Sequence, residues 1–169
     1  MEKIGLLKKL FKRKNIDGYI IPKNDEFFGE HTSKVKDRLN YISNFSGSYG
    51  FSLILKDKNY LFVDGRYTLQ ANKQSGKIFR VVTFPIKMPY EILTNKKLIL
   101  GFDPKLFTKK TLITFFGKKN NCIFKPLNQN LIDKIWKRKI ENKKEKFYLL
   151  PKHSVGNDYK YKINKIVSL

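Results

Sequence analysis

The sequence predicts an α/β domain in which six short strands alternate with helices. Short apolar runs, typical of buried strands, are separated by segments whose apolar residues recur at helical spacing. Turn-forming Gly, Pro, Asn and Asp residues lie between the two kinds of segment. The 169 residues are 41% hydrophobic and 14% aromatic, which is enough apolar material to form a core and argues against a disordered chain.

The N-terminal segment is predicted to be a helix, because one apolar stripe follows helical spacing with lysines outside it: Ile4, Leu7, Leu10 and Phe11. Residues 15–18 break this period. Residues 19–21, just before Pro22, form a short apolar run and are predicted to be the first strand. The chain thus opens with a helix followed by a strand.

Residues 24–44 are polar and are predicted to be a long loop with short helices. Long loops tend to carry function, so candidate binding residues are expected here. The apolar runs 51–56 and 60–63 flank a polar turn, which predicts a β-hairpin.

The second half continues the alternation. Helices are predicted over residues 66–74, 108–117 and 128–136, and strands over 78–84, 98–102 and 122–127. Thr108 is a suitable N-cap for the middle helix, and Gly117 is a suitable C-terminal residue. These segments complete the count of six strands.

The composition changes after this domain. Residues 137–146 are almost all charged and are predicted to be a linker. Residues 153–169 carry an apolar stripe, but a helix of roughly a dozen residues does not fold alone. We therefore expect a first domain over residues 1–150, followed over 151–169 by a linker and the truncated start of a second domain.

The net charge is strongly positive. Lys and Arg number 36 against 14 Asp and Glu, so the formal charge is 36 − 14 = +22. The lysines are spread along almost every segment, which favours incidental basicity over a specific nucleic-acid surface. The alternative stays open that the chain is a stand-alone basic module that binds nucleic acid or an acidic partner.

Several other classes of protein and site are disfavoured. Cys122 is the single cysteine, which excludes an internal disulfide, and His31 and His153 lie far apart, so no metal site is predicted. No apolar run approaches the roughly eighteen residues of a membrane span, and the expected location is the cytoplasm. The glycines of residues 46–50 are expected to form a tight turn, because no helix follows them to hold a phosphate.

Four acidic side chains in the long loop could form a cation site: Asp25, Glu26, Glu30 and Asp37. In so basic a protein, pairing with Lys and Arg is favoured. The corner Asp64-Gly65-Arg66-Tyr67 places Arg66 at the end of an apolar strand, where α/β sheets often contact ligands. A ligand contact and a bracing salt bridge to Asp64 or Glu30 are equally compatible with this corner.

A specific combination of segments follows a known order and spacing: residues 17–22, Glu30, Arg38, Tyr41, and residues 44–50, 64–71, 101–104 and 130–136. Together they resemble the N-terminal domain of Xaa-Pro aminopeptidases (aminopeptidase P), which is related to that of creatinase and prolidase. Residues 153–169 resemble the opening of the second domain. The resemblance implies an α/β fold with a mixed sheet.

The resemblance also implies what this chain lacks. In this family a later domain holds two metal ions, usually manganese, and removes the first residue of peptides with proline in second position. We therefore expect a fragment without catalytic or metal-binding residues of its own. The implied partners are the catalytic domain of the same chain, a peptide substrate and further copies in a homo-oligomer.

The family's N-terminal domain shapes the mouth of the active-site cleft. Glu30 and Arg66 match positions that point toward this cleft, and Asp25 and Arg38 are weaker candidates in the same region. A glutamate there suits the free α-ammonium group of a substrate, and an arginine suits orientation of that glutamate or contact with a peptide carboxylate.

Overall fold

The computed structural model describes residues 2–117, 121–138 and 146–169. The chain divides into two compact units, Met1–Lys139 and Ile140–Leu169. The domain boundary expected at residue 150 stays a prediction. The first unit contains six strands, β1 (Gly18–Pro22), β2 (Gly50–Leu55), β3 (Asn59–Asp64), β4 (Arg80–Phe84), β5 (Ile99–Phe102) and β6 (Ile123–Pro126).

The strands form one mixed sheet in the order β4-β3-β2-β1-β5-β6. Strand β2 pairs antiparallel with both β1 and β3, and the other neighbours are parallel. Five strands therefore end at one edge of the sheet, where β2 begins. We call this edge, with the loops that meet there, the carboxyl edge. Both the predicted hairpin and the six strands are confirmed.

Side chains alternate between the two faces of the sheet, as the strand period of two requires. Tyr19 and Ile21 of β1 belong to one buried cluster, and Ile20 between them belongs to the other. Both faces are covered, so the central strands β1, β2 and β3 are largely apolar rather than alternately polar.

Helices cover both faces of the sheet. The helices of the first unit are α1 (Glu2–Lys14), α2 (Arg38–Ser43), α3 (Thr68–Ser75), α4 (Pro89–Ile92), α5 (Lys109–Phe116) and α6 (Leu131–Ile135). The first face packs against α1, α2, α3 and α6, and the second against α4 and α5. Leu7 of α1 and Phe116 of α5 are fully buried centres of the two layers.

Local signals account for most helix ends. Thr108 Oγ1 accepts a hydrogen bond from the Thr111 amide at 3.1 Å, and Gly117 closes α5, as predicted. Helix α6 begins later than predicted because Asn130 is its N-cap and accepts from the Ile132 amide. Strand β4 likewise begins at Arg80, since Gly76–Ile78 form a 3-10 turn.

Helix α4 is not among the helices predicted from the sequence. Its first turn carries Pro89, whose fixed φ suits the start of a helix. The Glu91 carboxylate accepts a hydrogen bond from the Met88 amide, which closes the turn. These two signals were present in the sequence but span only one helical turn.

The second unit is small. It contains a 3-10 turn, Lys152–Ser154, and helix α7 (Tyr159–Val167), whose N-cap Asp158 accepts from the Lys160 amide at 2.8 Å. Within the predicted linker 137–146, residues 139–145 lie outside the described residues. None of the helices in the described ranges is both long and apolar enough to cross a membrane.

Candidate functional site at the carboxyl edge

A pocket of about 370 Å³ opens at the carboxyl edge. Loops that follow β1 and β5, the turn before β2 and one side of α5 form its walls. Aromatic rings supply most of its apolar lining: Phe28, Tyr49, Phe51, Phe107 and Phe115. Its volume lies in the usual range of small-ligand sites, roughly 300–1,000 Å³.

The aromatic rings at the floor of the pocket stack on one another. Phe51 lies parallel to Phe62 with ring centroids 4.8 Å apart, and parallel to Phe115 at 5.2 Å. Phe107 meets Phe102 edge to face at 6.0 Å. Such contacts fix ring positions beyond simple burial, so the apolar surface is preformed.

Glu30 stands at the mouth of this pocket. Its side chain also lines an adjoining polar pocket of about 420 Å³, so it lies between the two spaces. Glu30 is exposed, and within the described part of the chain no hydrogen bond or ion pair reaches its carboxylate. Glu30 therefore lines the pocket with a carboxylate that has no protein partner among the described residues.

The loop that carries Glu30 is fixed on both sides. Lys23 forms an ion pair with Asp37 across the loop, and the Thr32 hydroxyl donates to the Lys23 carbonyl at 3.0 Å. The side-chain Nδ2 of Asn24 donates to the Leu106 carbonyl at 2.8 Å, which ties the loop to the segment after β5. The charged side chains of Lys23 and Asp37 therefore stabilise the loop itself.

Arg38 lies beneath this loop rather than at a pocket wall. Its guanidinium is only 3% exposed and donates to both carboxylate oxygens of Asp133, each at 2.8 Å, and to Glu26 at 2.6 Å. This bidentate contact joins the loop to α6. The geometry therefore gives Arg38 the role of a structural brace.

The Arg38 cluster shifts the pKa values of its acids. Burial raises the pKa of Glu26, but hydrogen bonds from its own backbone amide and from Arg38 outweigh burial and lower it to about 2. Burial likewise acts to raise the pKa of Asp133, but hydrogen bonds from Arg38 and Arg138 outweigh burial and hold the pKa below its usual value. Both acids are charged at neutral pH.

Asp25 is buried, and its Oδ1 accepts a hydrogen bond from the Phe27 amide at 3.0 Å. Such a contact from an Asp to the amide two residues on shapes a local turn. Asp25 is not among the residues that line the two pockets. Its observed contact thus supports the loop that presents Glu30.

Arg66 occupies the corner after β3, and its side chain is 77% exposed. Its Nε donates to Asp64 Oδ1 at 2.8 Å, and the hydrogen bonds from Arg66 lower the pKa of the Asp64 carboxyl. Of the two salt bridges considered for this corner, the one to Asp64 is present. Arg66 does not contact Glu30, and its charge faces solvent at the carboxyl edge.

Sequence reasoning missed the residues that hold the opposite wall of the pocket. The Ser46 amide donates to Gln74 Oε1 at 3.0 Å, and the Ser46 hydroxyl accepts from the side chains of Gln70 and Gln74 at 3.0 and 2.9 Å. Ser48 and Tyr67 share a hydrogen bond of 2.7 Å. The available signal was the helical spacing of Gln70 and Gln74, four residues apart on α3.

Across residues 2–117, 121–138 and 146–169, no group of three or more His, Cys, Asp and Glu side chains is arranged to hold a metal ion. Apart from Glu30, the acids near the pockets have partners: Asp25 the Phe27 amide, Glu26 two cations and Asp37 the Lys23 ammonium.

Residues 3–135 match the creatinase/prolidase N-terminal domain family. A probable Xaa-Pro aminopeptidase P of Coprinopsis cinerea is 29% identical over 98% of this chain and 28% of its own length. Aminopeptidase P2 of Arabidopsis thaliana is 35% identical over 80% of this chain and 21% of its own length. The chain thus spans less than a third of these relatives.

Solved structures share the fold. An X-prolyl aminopeptidase from Caenorhabditis elegans, described as a cytosolic enzyme with a di-nuclear active site, has a TM-score of 0.65 and 24% identity over 80% of this chain and 25% of its own. The N-terminal domain of the peptidase PepQ from Mycobacterium tuberculosis H37Rv has a TM-score of 0.61 and 21% identity over 80% of this chain and 98% of its own. The predicted mixed α/β sheet is confirmed.

Proposed function

The chain belongs to the creatinase/prolidase N-terminal domain family, and from this premise we propose that it is the non-catalytic N-terminal domain of an Xaa-Pro aminopeptidase-like metallopeptidase. The match over residues 3–135 carries the proposal. The small share of each relative that the chain covers supports it, because catalytic residues would lie in the remainder. The longer protein would remove the amino-terminal residue from peptides with proline in second position.

The metal chemistry belongs outside this chain. Two metal ions, manganese in our proposal, would activate water for peptide hydrolysis in the catalytic domain of the longer protein. The residues described in this chain offer no matching ligand set. Their contribution is to bind and orient the peptide at the mouth of the cleft.

We assign Glu30 and Arg66 to that mouth. The Glu30 carboxylate has no partner among the described residues, lies beside an apolar pocket and suits the α-ammonium group of a peptide. Arg66 is exposed at the same edge and suits a peptide carboxylate, with Asp64 holding its guanidinium in place. Asp25 and Arg38 act on the peptide indirectly, through the loop that they shape.

The proposal includes the setting of the longer protein. We place the longer protein in the cytoplasm. This chain has a single cysteine and so forms no internal disulfide, as is usual for cytoplasmic proteins. The C. elegans protein is also described as cytosolic. We also expect a homo-oligomer. The catalytic domain of the same polypeptide and the peptide substrate are the other partners.

The size of the native polypeptide tests this function. Antibodies raised against this chain should detect a product several-fold heavier than 20.0 kDa in source cells. The purified heavy product should hydrolyse an Xaa-Pro peptide with added manganese, whereas the 169-residue chain should not. A native product of 20.0 kDa without peptidase activity would refute the proposal.

The net charge of +22 favours one second candidate, a stand-alone basic module for nucleic acid or an acidic partner. Phosphate binding by such a module would release counterions and weaken steeply with salt. A native product of 20.0 kDa would make this candidate the leading one.

A further inference from the structure

We propose that the aromatic pocket at the carboxyl edge selects peptides whose amino-terminal residue is large and apolar. In this arrangement the α-ammonium group binds Glu30 and the first side chain enters the pocket. The inference rests on the proposed function only in taking peptides with a free amino terminus as the ligands. It adds a specificity site within this domain.

Charge at the pocket mouth identifies a cationic ligand. Among the described residues five carboxylates form ion pairs, and Glu26 and Asp37 in the same loop are two of them. Glu30 lies next to them without a partner among the described residues. The one basic side chain of the pocket lining, Lys23, is already paired with Asp37.

The lining identifies the apolar part of the ligand. Phe51, Phe107 and Phe115 form a preformed floor, and their stacked rings leave faces and edges toward the pocket. Aromatic surfaces favour apolar side chains and also attract an ammonium group through their π faces. A carboxylate beside such a surface suits an amine that bears a large apolar group.

Phe28 supplies an independent observation at the mouth. It adopts a left-handed backbone conformation with φ of 52°, which is unfavourable for a bulky residue, and its side chain is 50% exposed. Burial in the core therefore does not explain this placement. A ligand packed between Phe28 and the floor would bury the ring, which accounts for an aromatic residue at this position.

Its neighbour Phe27 provides a matched control. Phe27 is 77% exposed and does not line the pocket, and Lys36 lies over its ring at 4.1 Å. Substitution of either ring by Asn removes a similar exposed aromatic group. Asn also tolerates the left-handed conformation, so Phe28→Asn should retain the fold.

The test titrates the 169-residue chain with tripeptides and follows amide chemical shifts of residues 28–30 and 49. Phe-Pro-Gly should bind at least about tenfold more tightly than Gly-Pro-Gly, from partial burial of the phenyl group. Phe28→Asn should remove this preference, and Phe27→Asn should retain it. Glu30→Gln, or acetylation of the peptide's amino terminus, should weaken the binding of both peptides.

Each other outcome overturns the inference in a distinct way. Equal binding of the two peptides, abolished by Glu30→Gln, would keep the role of Glu30 and refute the apolar pocket. Equal effects of Phe27→Asn and Phe28→Asn would also refute it. If neither peptide binds, the specificity site is wrong, whereas the proposed function is decided separately by the mass and activity of the native polypeptide.

Discussion

At the scale of single residues, Glu30 and Arg38 have different roles in the long loop. Glu30 presents a carboxylate to the pocket, and Arg38 ties the loop to α6 through Asp133. Within the described ranges, Glu30 is exposed and has no partner, whereas Arg38 is buried and pairs with two acids. Substitution should therefore separate binding from stability.

Glu30→Ala in the longer enzyme should lower kcat/KM for Xaa-Pro peptides by about tenfold or more, because a charge-assisted hydrogen bond to the ammonium group is lost. The matched control is Asp57→Ala, which removes an exposed carboxylate from the turn at the opposite edge of the sheet. Steady-state kinetics measure both. An unchanged value for Glu30→Ala would remove Glu30 from the site.

Arg38→Met should lower the free energy of unfolding by about 3 kcal/mol, because Glu26 and Asp133 lose a buried cation. Urea denaturation measures the loss. Arg66→Met, which removes an exposed guanidinium, should leave the midpoint unchanged. A similar small effect in both variants would show that the Arg38 cluster does not stabilise the domain.

The same cluster predicts how stability depends on pH. The pKa of Glu26 is about 2 in the folded protein and near 4.5 when unperturbed, so its contribution is present above pH 4.5 and is lost as the pH falls toward 2. The free energy of unfolding should decrease over this window. The decrease should be smaller in Arg38→Met, and parallel profiles of the two proteins would contradict the assignment.

Sequence reasoning at this scale located some residues and not their partners. The family resemblance marked Glu30, and the structure places it at a pocket mouth. The aromatic floor could not be predicted from the sequence. Phe51 lies on β2, Phe107 follows β5 and Phe115 lies on α5, so only the fold brings the three rings together. The polar character of residues 24–44 could not distinguish buried Arg38 from exposed Glu30.

At the scale of elements, the turn before β2 depends on α3. Gln70 and Gln74, one helical turn apart, both reach Ser46 and so set the wall that carries Ser48 and Tyr49. The hairpin was predicted from two apolar runs around a polar turn, and a helical segment was predicted after the Asp64-Gly65 turn, where α3 lies. Helix α4 has a single turn, and its capping signals were too local to stand out.

Gln74→Ala should speed hydrogen exchange of the Ser46 amide by about fivefold, because that amide donates to Gln74 Oε1 and one hydrogen bond contributes about 1 kcal/mol. Amide exchange followed by NMR measures the change. Asn72→Ala is the control, since the Asn72 side chain bonds within its own helix to Thr68. Equal exchange in the two variants would show that Gln74 does not hold the turn.

At the scale of the whole molecule, the order and direction of the strands bring several loops together at one edge of the sheet. Five strands end at the carboxyl edge, so the loops after β1, β3 and β5 meet there with the turn before β2. Composition and periodicity predicted the elements, but the position of β1 between an antiparallel and a parallel neighbour is a long-range property. The resemblance, rather than local pattern, predicted the mixed sheet.

The net charge of +22 should produce only weak binding to nucleic acid. Fluorescence anisotropy should show that labelled duplexes and single strands of any sequence dissociate between about 50 and 200 mM salt. This behaviour is expected of charge that serves no specific recognition. A sequence preference that persists at about 200 mM salt would instead support the basic binding module.

The turn between β2 and β3 lies at the end of the sheet away from the pocket, with Asp57 and Lys58 exposed. Longer surface loops add little entropic cost to folding. This turn is therefore a natural splice point for a reporter domain or a surface tether. A protein anchored there would hold its carboxyl edge outward, toward the solution.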